Sequence, residues 1–206
     1  AAAIADGLNA IAFASPNVVV AVGDYGAIVR STDDGITWTS ISSGTTKSLY
    51  SISFSNPSNV VVIGGDYFSS STYSGVILHS TDAGLTWTPV MNSLDANIYD
   101  VAFGDELTGI VTALAAEGYG RPIVYRTSDG GESWNKLSLG LNNPMYALAF
   151  TSSSTVVAVG LNGQVLRSTD AGISWTTSGL VTGESLFDVS FGDTLHGIAL
   201  GSYGNY

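Results

Sequence analysis

The chain has 206 residues, 45% hydrophobic and 11% charged, with 25 Gly, the balance of one globular β-rich domain and not of a disordered chain. Six Lys plus Arg against 17 Asp plus Glu give a formal charge of −11, which repels nucleic acid and anionic membrane surfaces. No Cys is present, which excludes disulfides, thiolate metal sites and cysteine nucleophiles.

The opening AAAIADG (Ala1–Gly7) lacks a basic n-region and a long apolar h-region, so it does not read as an intact signal peptide. No run of 18 apolar residues occurs anywhere, so no membrane-spanning helix is expected. The first unit then sets a pattern. A strand LNAIAF (Leu8–Phe13) is followed by a β-branched strand Val18–Val22, a Gly-rich turn GDYG (Gly23–Gly26) and a third strand Ala27–Arg30. The octapeptide STDDGITW (Ser31–Trp38) comes next, and a fourth strand is expected to begin at its Trp.

The second unit repeats this as LYSISF (Leu49–Phe54), Val60–Ile63, GGDYF (Gly64–Phe68) and STDAGLTW (Ser80–Trp87). The third reads IYDVAF (Ile98–Phe103), Gly109–Ala113, EGYG (Glu117–Gly120) and TSDGGESW (Thr127–Trp134). The fourth reads MYALAF (Met145–Phe150), Val156–Val159, GLNG (Gly160–Gly163), Gln164–Arg167 and STDAGISW (Ser168–Trp175). A fifth starts with LFDVSF (Leu186–Phe191), Gly197–Leu200 and GSYG (Gly201–Gly204) and stops there. The units span about 8–48, 49–97, 98–144, 145–185 and a partial 186–206 of a single domain.

The four Trp are spaced by 49, 47 and 41 residues, a period that points to propellers or solenoids. Within each octapeptide, Asp33, Asp82, Asp129 and Asp170 can bond backbone amides one or two residues ahead and fix a tight turn. Gly35, Gly84, Gly131 and Gly172 supply a position free to take positive φ. Trp38, Trp87, Trp134 and Trp175 offer a large apolar anchor with one N–H to satisfy. Residues spaced one per repeat around a ring do not converge, so these Asp and Trp residues are assigned a structural role.

Alternation places Ile11/Phe13, Tyr50/Ile52/Phe54, Tyr99/Val101/Phe103, Tyr146/Leu148/Phe150 and Phe187/Val189/Phe191 on one face of the first strands. The other face is small: Ala10/Ala12, Ser51/Ser53, Asp100/Ala102, Ala147/Ala149 and Asp188/Ser190. Bulky face into shallow face restores close packing between successive sheets. Four-stranded sheets stacked radially in this way make an all-β propeller, with four complete blades and a partial fifth.

The motif S/T-x-D-x-G-x-T/S-W is similar to the Asp-box, or BNR, repeat. The wider pattern, a first strand ending in Phe, then a Gly turn and R-S/T-x-D-x-G-x-T-W, resembles the photosystem II assembly and stability factor family over nearly the whole chain. Asp-box repeats also occur in sialidases, xyloglucanase-type glycoside hydrolases and sortilin-like receptors. The resemblance implies a propeller whose partner face carries the turns between second and third strands, opposite the octapeptides. Those turns hold Tyr25, Tyr67, Tyr119 and Tyr203, with Asp24, Asp66 and Glu117 beside three of them. Tyr offers apolar area and a polar tip together, which suits a protein surface or a sugar ring.

A second column, Arg30, His79, Arg126 and Arg167, stands directly before the octapeptides. It either pairs with carboxylates and packs on Trp, or forms a basic ring for an acidic partner. Asp100 and Asp188 share one position on two first strands and are the candidate acids for glycoside hydrolysis. His196 is assigned no role, and no metal, cofactor or catalytic residue is expected. Two strands with an open edge at residues 186–206 invite completion by a longer chain, by Ala1–Gly7, or by a strand of another copy. The expected function is non-enzymatic: a binding or structural propeller recognising a protein partner, or assembling with itself. A glycan-binding or glycoside-hydrolase-like domain is the alternative. The acidic, Lys-poor composition points to an extracellular, cell-surface or periplasmic location.

Overall fold

The computed structural model describes residues 7–69, 72–116, 121–139, 143–180 and 183–202, leaving aside the side chains of 67–69, 72 and 180. Five antiparallel sheets follow one another along the chain. They are β1 (Leu8–Ser15), β2 (Val18–Gly23), β3 (Ile28–Ser31) and β4 (Thr39–Ile41); β5 (Leu49–Phe54), β6 (Val60–Ser69), β7 (Thr72–Ser80) and β8 (Thr88–Leu94); β9 (Ala96–Phe103), β10 (Gly109–Ala115), β11 (Pro122–Thr127) and β12 (Asn135–Ser138); β13 (Met145–Phe150), β14 (Val156–Gly160), β15 (Gln164–Ser168) and β16 (Thr176–Leu180); and the pair β17 (Leu186–Phe191) and β18 (Gly197–Gly201). Each is a meander in chain order. The first strands β1, β5, β9, β13 and β17 touch in succession, so the sheets fan about a common axis as propeller blades.

Four apolar clusters fill the four spaces between successive blades. In the first, Ala10, Ala12, Val20, Val22 and Ile28 of blade 1 meet Leu49, Ile52, Phe54, Val62, Leu78 and Trp87 of blade 2. The third repeats the pattern, with Ala102, Ile110 and Val124 against Leu148, Phe150, Leu166 and Trp175. The other two close blade 2 on blade 3 around Trp134 and blade 4 on blade 5 around Phe191. Bulky side therefore meets shallow side at each space, which gives the close packing a core requires. The outer faces of the first and last blades stay open among the described residues, with Phe13 60% and Ile198 65% exposed. Among the described residues no extensive contact joins β1 to β17. Ala1–Asp6, one candidate for completing blade 5, lie outside the described residues.

Several boundaries differ from those the sequence suggests. The fourth strands begin one residue after each Trp, because the indole is held back inside the turn by a bond to the Gly carbonyl. Strand β9 starts at Ala96, ahead of Ile98, because β10 runs on to Ala115 and pairs with it. Gly64–Phe68 form no turn: they continue β6, which pairs Asp66 with Ser74 and Tyr67 with Tyr73.

A larger departure lies in the first strands. Pairing skips one residue near the start of each: Leu8 faces Gly23 and Ala10 faces Val22, Leu49 faces Gly64 and Ser51 faces Ile63. The same shift recurs in the other three blades. The extra residue of these β-bulges is Asn9, Tyr50, Tyr99, Tyr146 and Phe187 in turn. A bulge leaves its extra residue unpaired and re-aims it. The tyrosines thus leave the face that Ile52 and Phe54 occupy, and Leu49, Ile98, Met145 and Leu186 are buried in their place.

Candidate functional site

The octapeptides share one set of bonds. Ser31 Oγ donates to Asp33 Oδ1 at 2.7 Å and accepts from the Gly35 amide at 2.9 Å. Asp33 also accepts from the Thr37 amide at 2.8 Å and the Thr37 hydroxyl at 2.6 Å. The Trp38 indole closes the turn on Gly35 O at 2.9 Å. Asp82, Asp129 and Asp170 have the same partners in their turns, as do Trp87, Trp134 and Trp175. Bonds from Thr37 and Ser31 hold the Asp33 carboxyl at about 2, and those from Ser174 and Ser168 do so for Asp170. At Asp129 desolvation pushes upward, but Ser133 and Thr127 prevail, again at about 2. Carboxylates so occupied have little left for a ligand.

The basic column binds the neighbouring blade. Arg30 Nε donates to Ala83 O at 2.8 Å, and Arg126 Nε to Ala171 O at 2.8 Å, each acceptor lying in the next octapeptide. His79 Nε2 contacts Asn59 Oδ1, and Asn59 Nδ2 donates to Gly130 O at 2.8 Å, so blade 2 reaches blade 3 through a relay. The turns of blades 2, 3 and 4 also rest on the blade before them. A Cβ added to Gly84, Gly131 or Gly172 would lie 2.9, 2.6 or 2.2 Å from Val20, Val61 or Ile110. Arg30, His79 and Arg126 thus latch one blade to the next through carbonyl or amide oxygens, and no ion pair joins them to a carboxylate among the described residues. Arg167, on blade 4, is exposed.

At the opposite end of the blades, Tyr25 sits in a one-turn 3-10 segment, Asp24–Gly26, with φ 55 and 74% exposure. Asn162 takes the same backbone position in blade 4 with φ 58. Tyr67 lies in β6, and its side chain falls outside the description, as do Glu117, Tyr119 and Tyr203 entirely. Only Tyr25, Asp24 and Asp66 of the turn-face set can therefore be placed with their side chains. Asn9 Nδ2 donates to Asp24 Oδ1 and to Leu49 O, both at 3.0 Å, tying blade 1 to the start of β5. Asp66 lines a cleft of about 670 Å³ with Gly26, Ser43, Thr45, Lys47 and Asn92. Lys47 Nζ donates to Asn92 Oδ1 at 2.9 Å across it.

Beside these turns the bulged aromatics form a strip. Tyr99 meets Tyr146 edge-on, with centroids 5.2 Å apart and planes at 80°; Tyr146 stacks on Phe187 at 5.4 Å and 25°. Asn97 Nδ2 donates to the Tyr99 hydroxyl at 3.2 Å. On the next strand Tyr50 donates to Gly65 O at 2.6 Å. Tyr50 and Phe187 are 37% and 56% exposed. Burial, helped by the nearby Tyr146, lifts the Tyr99 phenol to about 12. Sequence reasoning assigned these residues to the inter-blade face. Their recurrence at the second position of each first strand was the available signal.

Asp100 stands next to the strip and joins three blades. Its Oδ1 accepts from Ser51 Oγ of blade 2 at 2.8 Å and from its own Val101 amide at 2.9 Å; its Oδ2 accepts from the Leu148 amide of blade 4 at 2.9 Å. Burial pushes this carboxyl up to about 6 against those bonds, with a smaller push from Asp188. Asp188 is exposed and binds the Val189 amide at 2.8 Å. His196 pairs with Asp193 at 2.8 Å in the exposed loop between β17 and β18. Among the described residues no group of three His, Cys, Asp or Glu is placed to hold a metal, and no helix is long and apolar enough to cross a membrane.

No family model matches the chain, and no curated protein does. Solved structures do. The GH74 xyloglucanase from Xanthomonas campestris aligns with a TM-score of 0.68 at 14% identity, over 97% of this chain and 35% of that one. The WD40 β-propeller domain of Doa1 aligns with a TM-score of 0.64 at 14% identity, over 96% and 62%. YCF48 bound to D1 peptide aligns at 14% identity over 97% and 91%, with a TM-score of 0.48. The chain spans about a third of the length of the GH74 enzymes it matches. The likenesses to the GH74 enzyme and the WD40 domain show the fold, a β-propeller.

Proposed function

We propose that this chain is a non-catalytic recognition propeller, built of Asp-box repeats and working outside the cytoplasm, which takes a protein partner on the turn face. The observation that carries the reading is the strip Tyr99–Tyr146–Phe187. Five bulges place residues beside the axis, and aromatic area left partly open there is what interface hot spots are made of. The structural neighbours include a WD40 domain, and a GH74 enzyme keeps the glycan alternative in view. Against catalysis stands Asp100, whose two oxygens already accept three bonds within the protein.

The test is a peptide array probed with the whole chain, alongside a polysaccharide panel assayed for released reducing ends. Sequence-selective peptide capture that Phe187→Ala abolishes, with an unchanged melting temperature, supports the reading. Hydrolysis of any polysaccharide that disappears in Asp100→Asn overturns it.

A further inference from the structure

Resting on that reading, we infer that the turn face selects an extended peptide carrying lysine or arginine, laid along the strip Tyr99–Tyr146–Phe187 with a cationic side chain near Tyr50, Asp24 and Asp66.

Three observations converge on this chemistry. The first is the shape of the strip. A sugar-stacking platform needs ring faces that lie level, yet Tyr99 and Tyr146 meet at 80°. Although Tyr146 and Phe187 lie within 25° of parallel, Tyr99 turns its plane across theirs, a broken platform that suits aliphatic stems and cations better than a run of pyranose planes. The second is the charge beside it. Asp24 has Asn9 as a neutral partner, and neither Asp24 nor Asp66 has an ion-pair partner among the described residues. Both carboxylates reach Tyr50 electrostatically, adding to burial in raising its phenol. The nearby cation, Lys47, is held by Asn92. The third is the cleft that Asp66 lines between the first two blades. Its rim of Ser42, Thr46 and Asn92, all exposed, supplies hydroxyl and amide groups for a peptide backbone. A formal charge of −11 draws a basic segment in and turns an acidic one away.

The experiment is fluorescence anisotropy of the whole chain with a labelled 12-residue peptide of alternating Lys and Gly. An alternating Glu–Gly peptide and cellohexaose serve as comparison ligands. The Lys–Gly peptide is expected to bind and the other two are not. Tyr146→Leu, which keeps apolar area and removes the ring, should weaken binding about 3- to 30-fold. Asp66→Asn should weaken it about 2- to 5-fold. Asp34→Asn, which removes the same charge from an octapeptide turn at the far end of the blades, should leave it unchanged. The inference fails if the Lys–Gly peptide does not bind, or if Asp34→Asn weakens binding as much as Asp66→Asn, since attraction would then follow net charge alone. It also fails if cellohexaose binds in a Tyr146-dependent way. Peptides captured on the array through Phe187 that prove neutral or acidic would overturn the charge preference alone and leave the recognition reading standing.

Discussion

The Nε of Arg126 lies 2.8 Å from the carbonyl oxygen of Ala171, so a side chain at the end of β11 closes on the octapeptide turn of the following blade. Arg30 does the same to Ala83. Removing either donor leaves a partly buried carbonyl unpaired. Arg126→Met and Arg30→Met are each expected to lose about 1–3 kcal/mol in denaturant unfolding. Arg167→Met, at the matching but exposed site, should lose less than about 0.5 kcal/mol. Equal losses at all three would mean that the bond to the next turn supplies no stability of its own.

The octapeptide glycines make a second comparison. Gly35 and Gly172 have the same φ of +82, yet a Cβ at Gly35 meets nothing nearer than Trp38 at 3.6 Å, whereas at Gly172 it meets Ile110 at 2.2 Å. Both Ala substitutions carry the left-handed penalty of about 1 kcal/mol. Gly172→Ala should therefore cost about 1–3 kcal/mol more than Gly35→Ala, the typical price of overpacking. Matching melting temperatures for the two variants would refute blade-on-blade seating of the turn.

Ala83 and Ala171 occupy left-handed conformations, φ 58 and 55, where blade 3 has Gly130. Alanine is strained there and glycine is not. Ala171→Gly is expected to stabilise the fold by about 0.5–1 kcal/mol, read as a higher urea midpoint with an unchanged slope. A lower midpoint would show that chain entropy outweighs the strain.

Asp100 should leave a signature in the pH dependence of stability. Its carboxyl is raised from 3.8 to about 6 in the folded protein, chiefly by burial. The folded state then holds this proton more tightly than the unfolded chain, so the group's contribution is present below pH 3.8 and is lost as pH rises through 6. Cooling-free urea titrations at pH 5 and pH 7.5 should show wild type gaining about 1 kcal/mol at pH 5 relative to Asp100→Asn. Burial lowers His79 and works in the opposite direction over the same range, which is why the difference between the two proteins is the quantity to measure. Parallel profiles would remove Asp100 from the account.

The blades and their turns were legible because both rest on local chemistry. Val60–Ile63 can hardly be anything but a buried strand, and Ser80, Asp82, Gly84 and Trp87 specify their turn within eight residues. The bulges were not legible. LYSISF alternates without a flaw, and by that rule Tyr50 belongs with Ile52 and Phe54. What displaces it is a contact distant in sequence: Ser48 O accepts from the Gly65 amide at 2.8 Å, and Gly64 has no Cβ to keep the two segments apart. The same closure joins Gly7 to Asp24, Pro144 to Leu161 and Ser185 to Ser202. The long hairpin of β6 and β7 was hidden in another way. A Gly-Gly-Asp sequence is as good a turn signal as Gly23–Gly26, and only pairing with Thr72–Ser80 keeps it extended.

Both arginine latches among the described residues run one way, from a strand to a turn that the ribosome makes 53 or 45 residues later. An arginine of blade 1 or blade 3 therefore finds its acceptor only once the following blade has been made. Most of what holds a blade lies at its two seams, and Asp100, bonded to Ser51 of blade 2 and Leu148 of blade 4, is the place where inserting or deleting a whole repeat would disturb more than one of them.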